Sequence, residues 1–231
     1  MIIDCISDLH GHYPHLEGGD LLIVAGDLTA KDTQAEYLHF FRWIAKLNYR
    51  KKILIAGNHD NWIEQNDFPL QSIADFNYLC DSGTEFEGLK IWGSPWSLWF
   101  KGINPRCKAF TGSEKDLEKK FKLIPDNIDI LVTHSPPKGI FDKISYYSSG
   151  KMENVGSLSL LMKATQLQNL KLFVFGHIHE GYNIYTPEEL KAFAKQELFG
   201  PAKCKSFPYI INASYVNEQY QPVNKPIRII L

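Results

Sequence analysis

Apolar residues in this chain come in short runs that end abruptly on carboxylate, amide and imidazole side chains. Ile53-Leu54-Ile55-Ala56 stops at Gly57 and gives way to Asn58-His59-Asp60. Four apolar residues bounded by a breaker fit a buried strand, because a helix needs ten or more. The same event recurs at four other places. Ile2, Ile3, Cys5 and Ile6 lead into Ser7-Asp8-Leu9-His10, and Leu21 to Ala25 leads into Gly26-Asp27. Ile128 to Val132 leads into Thr133-His134, and Leu172 to Phe175 leads into Gly176-His177-Ile178-His179. In α/β sheets ligands bind beyond the carboxyl ends of the strands, which is where these polar clusters fall.

Helical patterns lie between the runs. Thr33-x-x-Glu36 is a capping box, and Tyr37, Phe40, Phe41, Ile44 and Leu47 form one stripe at helical spacing. They predict a helix to about Asn48 whose stripe is core, inside a βαβ crossover. Trp62 to Leu79 is less regular, a short helix or coil. Thr84 to Ser94 predicts a strand pair turning at Glu87-Gly88, part of a second, partly antiparallel sheet. Ser113 to Leu123 predicts a charged helix whose Lys115, Lys119, Lys120 and Lys122 form a solvated face. Asn154 to Gln168 predicts a helix opening at Gly156-Ser157. Thr186-Pro187-Glu188-Glu189 is another capping box, with Pro at the first helical position, and predicts an amphipathic segment to about Phe199. Tyr209 to Ala213 and Ile227 to Leu231 predict the closing strands.

Bulk properties narrow the class. At 231 residues the chain suits one well-buried domain spanning residues 1–231, as is common for α/β folds of this length. Its 25 basic and 26 acidic residues leave a net charge of −1. That balance argues against a nucleic-acid partner, because such domains carry a basic surplus. Cys5, Cys80, Cys107 and Cys204 stand far apart in no metal-type spacing, and Cys5 reads as a buried free thiol. The N-terminus opens into a strand without a signal-peptide pattern. No apolar run approaches the roughly 20 residues of a membrane span. The expectation is a soluble, cytoplasmic protein, a monomer or homodimer, without membrane contact.

The strand ends together deliver Asp8, His10, Asp27, Asn58, His59, His134, His177 and His179. Counting the neighbouring His12, the set takes six of the eight histidines, which scattered structural histidines would not produce. Carboxylate, amide and imidazole without Cys suit Mn²⁺, Fe²⁺ or Zn²⁺ better than a thiolate zinc site. His12 and His15, in the Gly11–Asp20 loop, read as solvated or supporting residues. Trp96, Trp99 and Phe100 follow one another in a Pro-containing loop. Core packing accounts for two of the three, and Trp96 or Trp99 offers a face for a stacked nucleobase. The first amides after Gly156 offer a place for phosphate, since helix N-termini attract anions.

The order Asp8-x-His10, Gly26-Asp27, Gly57-Asn58-His59-Asp60, His134, Gly176-His177-x-His179 resembles the calcineurin-like metallophosphoesterases. Gly93-Ser94-Pro95-Trp96, Thr133-His134-Ser135-Pro136-Pro137, His179-Glu180-Gly181-Tyr182 and Ile211-Asn212-Ala213-Ser214 resemble one branch of that family. It comprises the metallophosphoesterase-domain-containing proteins, related to class III cyclic-nucleotide phosphodiesterases. The likeness covers most of the chain. The Pro187–Ser206 stretch departs from the branch and is read as a helical insertion, serving as a lid, an oligomer contact or a surface piece.

The resemblance implies a fold of four layers, an αββα sandwich of two mixed β-sheets flanked by helices. It also implies two divalent metal ions. Phosphate esters resist hydrolysis because their oxygens repel nucleophiles and the leaving alkoxide is poor. Two ions roughly 3.5–4 Å apart neutralise the oxygens and turn a bridging water into hydroxide. By that resemblance Asp27 bridges the ions. Asp8, His10 and His179 complete the first, and Asn58, His134 and His177 the second. His59 then protonates the departing oxygen as a general acid, while Asp60 orients His59 or caps the following helix. Asn58, His59, Trp96, Gly156 and Asn212 are the expected substrate contacts.

Gly26-Asp27-Leu28-Thr29-Ala30-Lys31 lacks the Asp-Arg-Gly that continues this motif in protein Ser/Thr phosphatases, which argues against a phosphoprotein substrate. Some members of the resembling branch replace the first His of the last motif by Gly, whereas His177 is kept here. A complete two-metal site with real turnover is therefore expected. The leading reading is a phosphodiesterase acting on small phosphate esters such as cyclic or other nucleotides. The competing readings are a phosphomonoesterase or nucleotidase, and a nucleotide-binding scaffold with little turnover.

Overall fold

The computed structural model describes residues 1–66, 76–99, 107–145, 152–195 and 207–231. Phe100, Cys204 and the helical continuation toward Phe199 lie outside the described residues. The first part of the chain forms β1 (Ile2–Ile6), β2 (Gly19–Ala25), α1 (Gln34–Ala45), β3 (Tyr49–Ile55), α2 (Asn61–Gln65), β4 (Asn77–Tyr78), β5 (Ser82–Phe86) and β6 (Leu89–Ser94). The short strands β7 (Ser97–Leu98) and β8 (Thr111–Gly112) precede α3 (Glu114–Phe121), β9 (Ile130–Thr133), β10 (Lys143–Ser145) and β11 (Met152–Asn154). The remainder is α4 (Leu158–Ala164), β12 (Leu172–Phe175), β13 (Asn183–Tyr185), α5 (Pro187–Lys195), β14 (Tyr209–Asn212) and β15 (Ile227–Ile230).

Two mixed sheets face each other. One runs β15-β1-β2-β3-β4, and the other β13-β14-β12-β9-β6-β5. β1, β2, β3 and β4 are parallel, as are β6, β9, β12 and β14, with antiparallel strands added at the edges. Strands covered on both faces read as continuous apolar runs, and the packing separates the two faces residue by residue. Ile3, Cys5, Leu21, Ile23, Ile53 and Ile55 meet Ile91, Ile130, Val132, Leu172, Val174 and Ile211 between the sheets. Ile6, Leu22, Val24 and Leu54 point the other way, onto the Tyr37, Phe40, Phe41 and Ile44 stripe of α1. Leu131, Phe173, Phe175 and Ile210 point outward from the second sheet onto Leu117 and Phe121 of α3, Leu160 of α4 and Leu190 of α5. This is the expected αββα order of layers.

The local signals hold at most boundaries. Thr33 and Ser113 close capping boxes on α1 and α3, and the β5–β6 turn uses Glu87 and Gly88 at φ 50° and 75°. The helix expected from Asn154 to Gln168 is shorter: Ser157 caps it and Ala164 ends it. No helix among the described residues is long and apolar enough to cross a membrane.

Candidate metal centre

β1, β2 and β3 of one sheet and β9 and β12 of the other release their polar residues at a common end of the sandwich. Backbone hydrogen bonds carry the strand pairing past the strands themselves. Asp8 N–H donates to Gly26 O at 3.0 Å, His10 N–H to Asp27 O at 3.0 Å and Gly176 N–H to His134 O at 3.0 Å. Ser7 N–H donates to Ala213 O at 2.9 Å and Tyr215 N–H to Ser7 O at 2.8 Å, which ties β1 to the end of β14 in the opposite sheet. At this junction Asp8, His10, Asp27 and His177 all have positive φ, at 52°, 42°, 54° and 68°. Such backbone costs of order 1–3 kcal/mol per residue and concentrates where surrounding structure enforces it for function. Gly176 lets the chains close up, because a Cβ there would lie 2.1 Å from Asp8 Oδ2.

The structure brings these side chains close together. His179 Nε2 is 3.4 Å from Asp8 Oδ1, and His10 Nε2 is 3.6 Å from Asp27 Oδ2. His134 Nε2 is 3.4 Å from Asp27 Oδ1, and His59 Nε2 is 3.9 Å from Asp27 Oδ2. Asn58 Oδ1 accepts from His134 Nε2 at 2.9 Å and His177 Nδ1 at 2.8 Å. Asp8, His10 and His179 form one group close enough to share a cation. Asp8, Asp27 and His134 form another, and His10, Asp27 and His59 a third.

The donor set fits divalent metal ions on observations independent of the motifs. His134 gives Nδ1 to Ala25 O at 2.9 Å, and His179 gives Nδ1 to Asn217 O at 2.9 Å. Each ring is thereby held with Nε2 turned inward, the arrangement that metal-ligating histidines adopt. His10 Nε2 is buried and has no hydrogen-bond partner, although it points at the Asp27 carboxylate.

Burial and the neighbouring charges set the protonation of each donor. Both nitrogens of His134 face acceptor oxygens, and its pKa rises to about 9: burial opposes the charge, but Asp27 outweighs it. Burial works against ionisation of Asp8 and Asp27 as well, yet the surrounding imidazoles hold both below the usual carboxylate range. Burial lowers His10 to about 4, and burial with the neighbouring His134 lowers His177 to about 3. These two rings are neutral bases, the form that binds a cation.

Asp60 departs from expectation. It occupies the position before α2 but makes no capping hydrogen bond there. Its carboxylate accepts instead from the N–H groups of Gly57, Asp27 and Leu28 at 2.7, 2.9 and 3.1 Å, and from Tyr37 OH at 2.9 Å. Asp60 therefore clamps the loops after β2 and β3 together rather than orienting His59.

Trp96, Gly156 and Asn212 are not brought to the cleft beside this cluster, and each is committed elsewhere. Trp96 donates Nε1 to Asp81 at 2.9 Å, and Lys120 Nζ sits 4.2 Å from the centre of its ring, where a base would stack. Gly156 N–H donates to Asp142 at 2.8 Å. The free amides of α4 are taken by Glu114, which accepts from Ser159 N–H at 2.7 Å and Leu158 N–H at 3.3 Å, so no phosphate site opens there. Asn212 is fully buried, donating from Nδ2 to Ile178 O and accepting at Oδ1 from Ser214. Ser214 in turn donates to Asp8 Oδ2 at 2.9 Å. Asn212 and Ser214 thus support Asp8 from behind the centre.

The cleft itself, about 1180 Å³, is lined by His10, His59, Lys31, Lys108, Trp62 and Tyr220, among others. Tyr220 packs edge-on to the rings of His10, His179 and His59. Nothing in its local sequence marks it. Ser214 did carry a signal, since it ends the Asn-Ala-Ser segment.

Residues 1–181 match the family described as calcineurin-like phosphoesterase. The chain belongs to that family. It is 33% identical over 256 residues to human metallophosphoesterase domain-containing protein 1, covering 98% of this chain and 70% of that protein. It is 23% identical over 171 residues to the 3',5'-cyclic adenosine monophosphate phosphodiesterase CpdA of Escherichia coli K12, covering 72% of this chain and 57% of that protein. The crystal structure of TT1561 of Thermus thermophilus shares the fold, with a TM-score of 0.59 over 91% of this chain and 88% of the other at 14% identity. The chain is thus a metal-dependent phosphoesterase with a matching mixed α/β fold.

Proposed function

We propose that this phosphoesterase is a phosphodiesterase for small phosphate esters, cyclic or other nucleotides among them, working with two divalent ions. The observation that carries the reading is the convergence of two donor sets on one buried carboxylate, Asp27. Asp8, His10 and His179 would hold one ion, Asn58, His134 and His177 the other, and Asp27 would serve both. Mn²⁺, Fe²⁺ or Zn²⁺ suits these donors. Such ions supply neutralisation of the phosphoryl oxygens and activation of water.

The chain's own groups do the rest. Asn58 contributes a neutral oxygen, which keeps the centre receptive to an anionic ester. Lys31 and Lys108 border the cleft and favour an anion, while Trp62 and Tyr220 give it aromatic walls. His59 is 20% exposed, against 4% for His10, none for His134 and 11% for His179. It is the imidazole of these four that most faces the cleft, which supports its role as proton donor to the departing oxygen. The E. coli relative's name supports a cyclic-nucleotide diester as the first substrate to try.

A panel of cyclic nucleotides, nucleoside monophosphates and aryl phosphates, assayed with Mn²⁺, Zn²⁺, Mg²⁺ and Fe²⁺, tests the proposal. Faster hydrolysis of diesters than of monoesters is expected. The reverse preference would make the protein a monoesterase, and silence across the panel would favour a scaffold.

A further inference from the structure

Cys107 belongs to no motif, yet its segment is set against the loop after β3 at three points. The Cys107 carbonyl accepts from Asn58 Nδ2 at 2.9 Å. Just beyond it in the chain, Ala109 N–H donates to Asn58 O at 3.1 Å. Cys107 Sγ lies 3.5 Å from His59 Nδ1. The first contact fixes the Asn58 amide, because with Nδ2 given to a carbonyl, Oδ1 is the atom left facing His134 and His177.

The third contact acts on His59. An imidazole can turn either nitrogen toward a substrate, and the hydrogen bond made by the other one decides which. Here the sulfur takes Nδ1, leaving Nε2 on the side of Asp27, 3.9 Å from Oδ2. The His59 backbone is pinned too, its N–H donating to Asp27 Oδ1 at 2.9 Å. Cys107 is half-buried and lines the cleft with His59.

We propose that Cys107 is a positioning residue for His59, its sulfur holding Nδ1 so that Nε2 is presented to the departing oxygen. The proposal rests on His59 being the proton donor. In the charged ring both nitrogens bear hydrogen, with Nδ1–H toward sulfur, a weak acceptor. As the bond from phosphorus to the leaving oxygen breaks, its electron pair stays on that oxygen, which takes the Nε2 proton. The ring is left neutral with hydrogen on Nδ1, still held by Cys107. The sulfur is neither oxidised nor alkylated and forms no bond.

The test is Cys107→Ala assayed on two diesters of one acid, one with an alkyl leaving group and one with a nitrophenyl group that departs without a proton. Loss of the partner that orients a metal-ligating imidazole costs about 10-fold at the lower end of the usual range, and the same scale is taken for His59. We therefore expect kcat on the alkyl ester to fall about 10-fold, with KM unchanged and the nitrophenyl ester within twofold of wild type. Cys107→Ser should recover part of the loss. Nitrogen NMR of histidine-labelled protein without added metal should show the His59 Nδ1 resonance moving in Cys107→Ala while that of His134 stays. An equal loss on both esters, or an unmoved His59 resonance, would overturn the proposal. His59→Ala separates the two levels. If it spares the alkyl ester, the proton-donor reading falls and takes the proposal with it. If it loses the alkyl ester while Cys107→Ala behaves as wild type, only the role of Cys107 falls.

Discussion

Gly57→Ala adds one methyl group at a crowded point of the centre. A Cβ at Gly57 would lie 2.2 Å from Asp27 Oδ1, 2.6 Å from His134 Cε1 and 2.7 Å from Asp27 N. Gly57 is not among the positive-φ residues, so the effect is purely steric. The obstacles cannot swing aside, because two are the Asp27 backbone and a fully buried ring, and Asp27 Oδ1 already accepts from His59 N–H at 2.9 Å. Ordinary contact at about 3.4 Å requires the loop to move by about 1 Å, and a displacement of that size at a reacting centre costs about 100-fold in rate. Overpacking of this kind destabilises by about 1–3 kcal/mol. For a chain of this length that is a fall in Tm of roughly 2–4 °C per kcal/mol. Gly88→Ala supplies the contrast: nothing lies within 4 Å of its added Cβ, but φ is 75°, so it should lose about 1 kcal/mol of stability and no activity. Steady-state assays on an aryl phosphodiester, with metal content by elemental analysis and Tm by calorimetry, read all three effects. Activity of Gly57→Ala within threefold of wild type, at unchanged Tm, would refute the arrangement of Asp27 and His134 around this glycine.

The other expectations can be checked with the same protein. Asp27→Asn should abolish metal-dependent hydrolysis of the aryl phosphodiester; wild-type-like activity would reject the bridging role proposed for Asp27. His177→Gly should weaken binding of the second ion proposed above, and unchanged two-ion stoichiometry at limiting metal would reject that ligand set. Glu114 gives a pH test on a group that belongs to none of the candidate metal-binding groups. Burial works against its charge, but hydrogen bonds from Ser159, Ser157 and Leu158 lower its pKa below the ordinary value of 4.5. A carboxylate lowered by folding stabilises fully above its unfolded pKa and loses that contribution as pH falls through the folded one. Glu114→Gln should therefore lower Tm at pH 7 by about 2–4 °C, on the order of 1 kcal/mol for partly exposed charge-assisted hydrogen bonds. The gap to wild type should close as pH drops below 4.5; a gap that stays constant would show that the charge of Glu114 plays no part.

Features that are short-range in the chain were legible in its residue pattern. The runs before Asp8, Asp27, Asn58, His134 and His177 became strands, and the Thr33 box and the charged segment from Ser113 became helix starts. Where two roles were open to a residue, contact from afar chose between them or supplied a third. Asp60 could have capped α2, but the amides of Gly57, Asp27 and Leu28 took its carboxylate. The α4 N-terminus could have held phosphate, but Glu114 from α3 filled it. Trp96 could have faced a base, but Lys120 covered its ring.

By itself, then, the sequence determined the strand and helix types and the inventory of donors for a cation, since each depends on neighbours a few residues apart. Only the tertiary structure decided which nitrogen of His134 or His179 turns inward, that Tyr220 lies over the rings, and that Cys107 meets His59. Those facts depend on groups far apart in the chain meeting in space, as the rings of His10 and Tyr220 do with centroids 4.7 Å apart. Such meetings are set by strand register and the packing of one sheet on the other, which no local pattern encodes.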